Sequence, residues 1–260
     1  MTTSAYGAAR VSVVMPAYNE EAFIRQAVED FRRLPEVAEV VVVDNNSQDG
    51  TAELARSAGA RVITEARQGY GHASRTALLS GVSDLVAIVE PDGTFRAADL
   101  YKMLAYADEF DAVLGTRTSK ACIWEGANMG WPLRLGNVAV AKLLEYVHNG
   151  PCLTDVGCTF KMIRRCALQQ LAPYLTVGAS HFSPELMIAL VRTSMRVIEV
   201  PVHYRRRLGE SKITGNMGRA IRLGLRMIAM IFLYRFRRFP RFASSVSEAT
   251  LMDIGEQGPT

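Results

Sequence analysis

The stretch that most constrains this chain is residues 85–95, where an apolar run leads directly into two carboxylates. Residues 85–89 read Leu-Val-Ala-Ile-Val, a pattern typical of a strand that is buried on both faces in a parallel sheet. Pro91 cannot donate a backbone hydrogen bond and the following Asp-Gly pair favours a turn, so the strand is predicted to end there. Glu90 and Asp92 are therefore expected at the carboxyl edge of the sheet, where open α/β folds bind ligands.

Two carboxylates on one tight turn suit a hard divalent cation. Glu90 and Asp92 are candidate ligands for Mg²⁺ or Mn²⁺, which the protein would hold together with the phosphates of a substrate. The plain alternative is an acidic turn that faces water. Glu-Pro-Asp-Gly taken alone favours that alternative, so the rest of the chain has to decide.

Strand-like and helix-like segments alternate along the chain. Strands are predicted at 11–15, where Pro16 would end the first one, and at 40–43, 61–64, 85–89, 112–115 and 197–202, with a turn and a short strand at 154–160. Helices are predicted at 21–34, 51–58, 72–80, 98–110, 133–146, 184–193 and 216–238. This alternation predicts an α/β fold, a Rossmann-like and mostly parallel sheet with helices on both faces. Pro201 predicts that the last strand lies at an edge.

Two common nucleotide-binding signatures are missing from the chain. The first predicted strand is followed by Pro-Ala-Tyr-Asn-Glu-Glu at residues 16–21, and not by the G-x-G-x-x-G of dinucleotide-binding enzymes. The sequence also contains no G-x-x-x-x-G-K-[ST] loop. These absences weigh against an NAD-dependent enzyme and against a P-loop kinase or ATPase.

The positive charge of the chain is concentrated near its C-terminus. The net charge is only +4, yet residues 205–241 contain eleven Lys and Arg against the single acid Glu210. This asymmetry predicts an anionic partner for the C-terminal part. A nucleic acid is not expected, because the basic residues lie in one segment without base-stacking aromatic residues on a sheet.

Cysteine usage and the chain ends indicate a cytoplasmic protein. Cys122, Cys152, Cys158 and Cys166 form no C-x-x-C pair, which is typical of free thiols in a reducing compartment. Residues 1–10 lack the apolar core of a signal peptide and are expected to be disordered, as is a flexible tail at 241–260. No window reaches the roughly 18 apolar residues that a membrane-spanning helix needs.

Five segments, in order, resemble the family 2 glycosyltransferases of the GT-A fold. The first three are Pro-Ala-Tyr-Asn-Glu-Glu at 16–21, Val-Asp-Asn-Asn-Ser-Gln-Asp-Gly-Thr at 43–51 and the acidic turn at 90–93. The other two are Thr-Asp-Val-Gly at 154–157 with Phe160 and Lys161, and Glu-Val-Pro-Val at 199–202 with Arg-Leu-Gly-Glu-Ser-Lys at 207–212. These last two resemble the branch that includes dolichol- and polyprenol-phosphate mannosyltransferases. The resemblance implies a catalytic domain over residues 11–215.

The resemblance implies an inverting enzyme with a nucleotide-sugar donor, either a GDP- or a UDP-sugar, and a divalent metal. The residues that it places around the donor are Pro16, Tyr18, Glu20, Asp44, Gly69, Gly71, Glu90 and Asp92. Asp92 is the expected metal ligand, whereas Glu90 stands where the family usually has Asp. Asn45 and Asn46 also depart from the usual Asp-Gly. Without the family, Asp44 is equally a turn residue, and Gly69 and Gly71 are equally explained by loop-to-helix geometry.

The catalytic and acceptor residues also follow from the resemblance. Lys212 and Arg207 are expected to close over the donor phosphates from a basic loop, unless that loop is simply solvated. Arg117, Arg134, Asn137 and Arg207 are the candidates for the acceptor side. A polyprenyl phosphate attacks without a base, whereas a hydroxyl acceptor needs one, and Asp155 is then the candidate base.

Three functional hypotheses stay open on the sequence. The first is sugar transfer to a polyprenyl phosphate at the cytoplasmic membrane face. The second keeps the donor chemistry but uses a soluble hydroxyl acceptor, such as a secondary metabolite or a saccharide. The third is a nucleotide-sugar-binding module without catalysis, which only the departures at Glu90 and at residues 45–46 support.

The basic segment at 216–240 is predicted to form an amphipathic helix. Arg219, Arg222 and Arg226 share one face, and Ile221, Leu225, Ile228 and Phe232 share another. That pattern fits a helix lying in the headgroup region of an anionic bilayer. It fits equally a helix that packs on the catalytic domain or on a second subunit of a homo-oligomer.

Overall fold

The computed structural model describes residues 10–124, 131–205, 217–242 and 244. One seven-stranded sheet runs through the described chain in the order β3-β2-β1-β4-β6-β5-β7. Its strands are β1 (Val11–Ala17), β2 (Val37–Asp44), β3 (Arg61–Thr64), β4 (Leu85–Ile88), β5 (Ala112–Thr116), β6 (Lys161–Arg164) and β7 (Val197–Pro201). The α/β prediction is confirmed, and β7 lies at an edge as Pro201 predicts.

Eight α-helices connect and cover these strands in the described chain. They are α1 (Ile24–Arg32), α2 (Thr51–Ser57), α3 (Tyr70–Ser80), α4 (Leu100–Leu104), α5 (Trp131–His148), α6 (Arg165–Leu171), α7 (Phe182–Arg192) and α8 (Met217–Phe236). Short 3₁₀ turns at Ala97–Asp99, Lys120–Cys122 and Ala172–Tyr174 complete the connections.

Helices cover both faces of the sheet, as the alternation predicts. One core contains apolar residues of α3, α5, α6, α7 and α8, and the other contains those of α1, α2 and α4. Successive residues of β1 point to opposite cores, with Val14 in the first and Val13 and Met15 in the second. The sheet is therefore buried on both sides, which explains its near-continuous apolar strands.

The sheet is parallel except at β6. Strand β6 is antiparallel to β4, with Ala87 opposite Met162, and antiparallel to β5, with Val113 opposite the same methionine. Residues 154–160, predicted as a turn and a short strand, contain no strand, because they form the approach to β6, which begins at Lys161. Helix α6, which follows directly, was not predicted.

Two further boundaries differ from the prediction. Strand β1 continues through Pro16 to Ala17, because the pairing of β4 with β1 ends at Val14 opposite Ile88. The absent N–H of Pro16 therefore removes no hydrogen bond of that ladder. The helix predicted at 98–110 is a 3₁₀ turn followed by the short α4, and residues 105–109 form turns.

Helix α8 packs on the rest of the described chain through one face. Met230 and Ile231 are buried, and the Nε2 atom of His148 at the end of α5 lies 3.0 Å from the carbonyl oxygen of Ile231. The opposite face is solvent-exposed. No helix in the described ranges is both long and apolar enough to span a membrane.

Candidate active site

The ends of β1 and β2 carry two loops that are tied together by side-chain hydrogen bonds. The backbone nitrogen of Asn19 donates to Ser47 Oγ at 3.0 Å, and the backbone nitrogen of Glu20 donates to Thr51 Oγ1 at 2.8 Å. These bonds fix the loop that carries Tyr18 and Glu20 over the end of β2. Predicted donor residues of the two segments thus lie at one sheet edge, as expected for a parallel pair.

Asp44, the last residue of β2, is buried, and its Oδ1 atom accepts a hydrogen bond from the backbone nitrogen of Ser47. The side chain of Asn45 is also buried and links β2 to the next connection. It donates to the carbonyl oxygens of Glu65 and Arg67 and accepts from the backbone nitrogen of Gly69 at 2.8 Å. Asn45 therefore orients the glycine loop from the end of β2.

Asn46 adopts a left-handed backbone conformation, with φ of 61°. Glycine and asparagine tolerate this conformation better than other residues. The asparagine thus meets the backbone requirement that the glycine of the usual Asp-Gly would meet. Its departure from the family pattern is conformationally conservative.

The glycine loop at 69–71 packs against the segment that precedes α7. Gly69 has φ of 146°, and a Cβ atom there would lie 2.3 Å from the carbonyl oxygen of Gly178. A Cβ atom on Gly71 would lie 2.2 Å from the carbonyl oxygen of Val177. Only glycine fits at either position, so close backbone packing accounts for both residues whether or not a ligand lies beside them.

Two tyrosines surround the carboxylates of the acidic turn. Tyr70, which lies within the glycine loop, is close to Glu90, and its burial together with the charge of Glu90 raises its pKa well above the usual value. Burial raises the pKa of Tyr204, Arg117 lowers it, and the charges of Asp92 and Glu90 raise it further. The two carboxylates therefore share one electrostatic environment with Tyr204 and Arg117.

The acidic turn offers a suitable set of oxygen donors for a divalent cation. Asp92 is buried, and its Oδ1 atom accepts hydrogen bonds from the backbone nitrogen of Thr94 at 3.1 Å and from the Thr94 hydroxyl at 2.6 Å. Within the described residues no cluster of three or more His, Cys, Asp or Glu side chains is placed to hold a metal. The residues fit a Mg²⁺-type site, in which one or two carboxylates bind and water and substrate phosphates complete the coordination.

Arg117 and Asp155 form a buried two-point ion pair. Arg117 donates from Nε to Oδ2 at 2.8 Å and from a terminal nitrogen to Oδ1 at 3.0 Å, and its backbone nitrogen donates to Oδ2. The backbone nitrogen of Gly157 is a fourth donor to the carboxylate. Burial raises the pKa of Asp155, but the Arg117 charge and these hydrogen bonds outweigh it and hold the pKa below its usual value. This geometry argues against the hypothesis of Asp155 as a general base.

Glu199 of β7 supports the same loop from the edge of the sheet. Its carboxylate accepts hydrogen bonds from the backbone nitrogen and the hydroxyl of Thr154, at 2.8 and 2.7 Å, and from the backbone nitrogen of Asp155 at 3.0 Å. The hydroxyls of Thr116, Thr118 and Thr154 lie 2.8–2.9 Å from one another. The loop that carries Asp155 is thus fixed on both sides, and so is the orientation of Arg117.

The remaining acceptor candidates are distributed unevenly. Asn137 of α5 lies beside Gly157, where a Cβ atom would come within 3.1 Å of Asn137 Oδ1 and 2.9 Å of an Arg117 nitrogen. Arg117, Asn137 and Asp155 are therefore brought together. Arg134 is half-buried one turn earlier on α5. Lys212 and Arg207 lie outside the described residues.

Several residues of this site were not predicted to belong to it. Tyr70 and Tyr204 contact the predicted residues, and buried Lys161 donates to Ser183 Oγ and to the carbonyl oxygen of Cys158. Burial raises the pKa of Cys158 to about 12, so this thiol is chemically inert at neutral pH. All four cysteines are free. The positions of Lys161 and Glu199 inside the two motifs of the polyprenol-phosphate branch were the available signal.

Comparison with known proteins identifies the family of this chain. The model of glycosyl transferase family 2 matches residues 12–172. An uncharacterised glycosyltransferase of Mycobacterium tuberculosis is 34% identical over 209 residues, covering 80% of this chain and 91% of that protein. The dolichyl-phosphate hexose transferase of Haloferax volcanii is 35% identical over 205 residues, covering 78% and 86% of the two chains.

Solved structures support the fold assignment. Glucosyl-3-phosphoglycerate synthase from Mycobacterium tuberculosis, in complex with Mn²⁺, UDP and glucosyl-3-phosphoglycerate, superposes with a TM-score of 0.65. It is 19% identical, and the match covers 87% of this chain and 79% of that one. At this identity the likeness shows the GT-A fold alone. With the family model spanning more than half of its length, the chain belongs to glycosyltransferase family 2 and is a glycosyltransferase.

Proposed function

We propose that this enzyme transfers a sugar, with inversion, from a GDP- or UDP-sugar to a polyprenyl phosphate at the cytoplasmic membrane face. The observation that carries the proposal is the ion pair of Arg117 with Asp155, which provides a fixed cation next to the acidic turn but no free base at that carboxylate. An ionised lipid phosphate needs a cation to bind it and no base to activate it. A hydroxyl acceptor needs a base to remove its proton and has no negative charge for a cation to bind.

On the donor side, the residues fall into two groups. Pro16, Tyr18, Glu20 and Asp44 would contact the nucleoside, because they lie at the ends of β1 and β2. Asp92, with Glu90, would hold Mg²⁺ or Mn²⁺ against the diphosphate. The bound cation neutralises the charge that the leaving nucleoside diphosphate gains, and Lys212 and Arg207 would add positive charge from the basic loop.

On the acceptor side, Arg117 is the central residue. A guanidinium has more N–H donors than one carboxylate uses, so an Arg paired with Asp155 still binds a phosphate oxygen. The Arg117 guanidinium also lies 5.1 Å from the centre of the Tyr204 ring, which restricts its orientation further. Asn137 and Arg134 of α5 would complete the acceptor side, and Asp155 would act by positioning Arg117.

Relatives and the surface of α8 support a lipid acceptor. Two relatives carry the names dolichyl-phosphate hexose transferase and, at 30% identity over 216 residues, undecaprenyl-phosphate 4-deoxy-4-formamido-L-arabinose transferase of Pseudomonas paraeruginosa. Helix α8 exposes Ile221, Leu225, Phe232 and Phe236 at helical spacing, next to exposed Arg222 and Arg226. An exposed apolar stripe flanked by arginines is the pattern of a helix in the headgroup region of an anionic bilayer.

The decisive experiment is a panel of UDP- and GDP-sugars with Mn²⁺, assayed with polyprenyl phosphate, with phosphorylated small acceptors and with saccharides. We expect turnover with polyprenyl phosphate that is lost when the metal is chelated. The matched acceptor control is the free polyprenol, which has the same tail but no phosphate. Equal transfer to the polyprenol or to a saccharide would overturn the lipid-phosphate proposal, and donor binding without any transfer would favour a non-catalytic module.

A further inference from the structure

Glu185 of α7 is a completely buried carboxylate that binds the segment in front of its own helix. The backbone nitrogen of Thr176 lies 3.0 Å from both of its oxygens, the Thr176 hydroxyl donates at 2.9 Å, and the backbone nitrogen of Val177 donates at 2.8 Å. Hydrogen bonds to a charged acceptor are stronger than neutral ones, so this segment is firmly held. Glu185 thus determines where residues 176–178 lie.

The same carboxylate is bound from α8. The hydroxyl of Tyr234 donates to Glu185 Oε1 at 2.8 Å, beside the Thr176 hydroxyl that donates to the same oxygen. Arg237, just after α8, places a terminal nitrogen 3.7 Å from the same oxygen. Helix α8 therefore supplies one hydroxyl to the carboxylate, and the residue that follows the helix supplies one cation. Both contacts restrict the orientation of the carboxylate.

The 176–178 segment in turn supports the glycine loop. The backbone nitrogen of Gly71 donates to the carbonyl oxygen of Gly178 at 2.9 Å, and neither Gly69 nor Gly71 has room for a Cβ atom against this segment. The loop between them carries Tyr70, whose pKa is raised by burial and by the nearby charge of Glu90 in the acidic turn, so the two side chains lie close together. A contiguous series of contacts thus joins Tyr234 to the carboxylates at the sheet edge.

We propose that Glu185 is a positioning residue of the donor site, which fixes the glycine loop through residues 176–178 and takes its own orientation from Tyr234 of α8. This inference rests on the proposed function, because it takes the glycine loop and Glu90 as part of the nucleotide-sugar site. It adds that α8, besides offering a surface to the membrane, supports donor binding. Neither the family match nor the motifs assign such a role to α7 or α8.

The test uses two conservative changes in the full chain, Tyr234→Phe and Thr176→Val, which remove one hydroxyl each and leave the packing volume nearly unchanged. Tyr146→Phe, which removes a hydroxyl from an exposed tyrosine of α5, is the matched control. The first readout is amide hydrogen exchange of residues 69–73. Loss of one hydrogen bond should speed that exchange about fivefold in the two variants and not in the control.

The second readout is the dissociation constant of UDP and of GDP, measured with Mn²⁺, for whichever nucleotide the unaltered chain binds. We expect it to rise about fivefold in Tyr234→Phe, with a similar rise in the donor KM and an unchanged kcat at saturating donor. Unchanged exchange at residues 69–73, or faster exchange with unchanged nucleotide binding, would overturn the proposal. Amide exchange and the nucleotide dissociation constant are independent of the acceptor, so a failure to glycosylate polyprenyl phosphate would count against the proposed function and not against this inference.

Discussion

Arg117 and Asp155 lie 38 residues apart in sequence, yet three nitrogens of the arginine donate to the one carboxylate. Arg117 directly follows the last residue of β5, and Asp155 lies in the segment that leads into β6. Because β5 and β6 are hydrogen-bonded neighbours, the antiparallel placement of β6 is what brings the two side chains together. The sequence patterns that single out each residue carry no information about this pairing.

Replacing Asp155 by Asn should lower kcat/KM by about tenfold or more at every pH, because Arg117 loses its orientation. The shape of the pH–rate profile should not change, since on this proposal Asp155 takes no proton. The free energy of unfolding should fall by about 3 kcal/mol, because the variant leaves a buried cation unpaired. Urea unfolding and pH–rate profiles measure the two effects.

The matched comparison is Arg117→Lys, which keeps the charge but loses the two-point geometry. It should show the same pH-independent loss of rate with a smaller loss of stability. An acidic limb of the pH–rate profile that disappears only in Asp155→Asn would instead establish Asp155 as a general base and would favour a hydroxyl acceptor.

Asp92→Asn should remove most metal-dependent turnover, and Glu90→Gln should have a smaller effect. Asp92 is oriented by two hydrogen bonds from Thr94, whereas Glu90 lies close to Tyr70 and stands where the family usually has Asp. Mn²⁺ binding in the presence of UDP or GDP, followed by electron paramagnetic resonance, provides a readout that does not depend on turnover.

The control for the metal variants is Asp108→Asn, which alters an exposed carboxylate paired with Arg10. Arg10 precedes β1, so this carboxylate lies at the end of β1 opposite to the candidate site. It should leave Mn²⁺ binding unchanged. Near-normal Mn²⁺ binding and activity in Asp92→Asn would show that the metal assignment is wrong.

Phe232→Glu and Phe236→Glu should weaken binding to anionic vesicles while leaving the fold intact, because these side chains are 50% and 87% exposed. Burying a phenylalanine in a lipid surface contributes about 1.5–3 kcal/mol, so each change should reduce the partition coefficient by about tenfold or more. Co-sedimentation with phosphatidylglycerol vesicles at low and high salt measures this. The unaltered chain should bind at low salt and be released as salt rises.

Val82→Glu is the matched control for these two variants, because Val82 is 65% exposed and lies in the loop before β4. It should bind vesicles like the unaltered chain. If Phe232→Glu instead converts a dimer into a monomer and the chain binds no vesicles, the stripe on α8 is an interface between subunits. Deleting α8 is not an informative test, because Met230 and Ile231 belong to the core.

His148 should make the attachment of α8 sensitive to mild acid. Burial, with the nearby charges of Arg192 and Arg235, lowers its pKa from 6.5 to about 4. The unfolded chain therefore binds a proton below about pH 6.5 that the folded chain does not bind until about pH 4. Stability from this site is thus fully present above pH 6.5 and is lost as the pH falls toward 4.

The measurement for His148 is the free energy of unfolding between pH 7 and 4, compared with His148→Phe. The variant loses the hydrogen bond to Ile231, so it should be less stable at pH 7, but its stability should depend less on pH across this window. Equal pH dependence in both proteins would contradict the prediction.

The sheet and its edges were predictable because apolar runs and turn residues are local signals. Pro201 correctly indicated an edge strand, whereas Pro16 gave a wrong strand end, since its effect depends on where a neighbouring strand stops. The position and direction of β6 were not predicted for the same reason, namely that they depend on neighbouring strands. Its direction is set by pairing with two strands that are distant in sequence, and no local pattern encodes that.

The candidate site was predictable residue by residue but not as an arrangement. Asp92 was chosen for its turn, and Asp155 for its motif, yet whether a carboxylate is exposed to a substrate or saturated by donors depends on tertiary contacts. Glu185 carries no local signal at all, because an acid in the first turn of a helix is ordinary. Its buried surroundings distinguish it, and those come from α8 and from the 176–178 segment.

Because β6 is antiparallel to β5, the segment between these two strands begins and ends at neighbouring points of the sheet. The polypeptide leaves the sheet after Thr116 and returns at Lys161, where the backbone nitrogen of Gly115 donates to the carbonyl oxygen of Phe160 at 2.8 Å. The segment 117–160 therefore starts and finishes at one point of the sheet, although Ala141, Leu144, Leu153 and Val156 within it belong to the core. Glu90, Asp92 and the proposed donor residues at the ends of β1 and β2 precede it, whereas Arg117, Arg134, Asn137 and Asp155 lie within it. On these proposed roles, a different acceptor could be accommodated by changes confined to this one segment, provided that its core residues are kept.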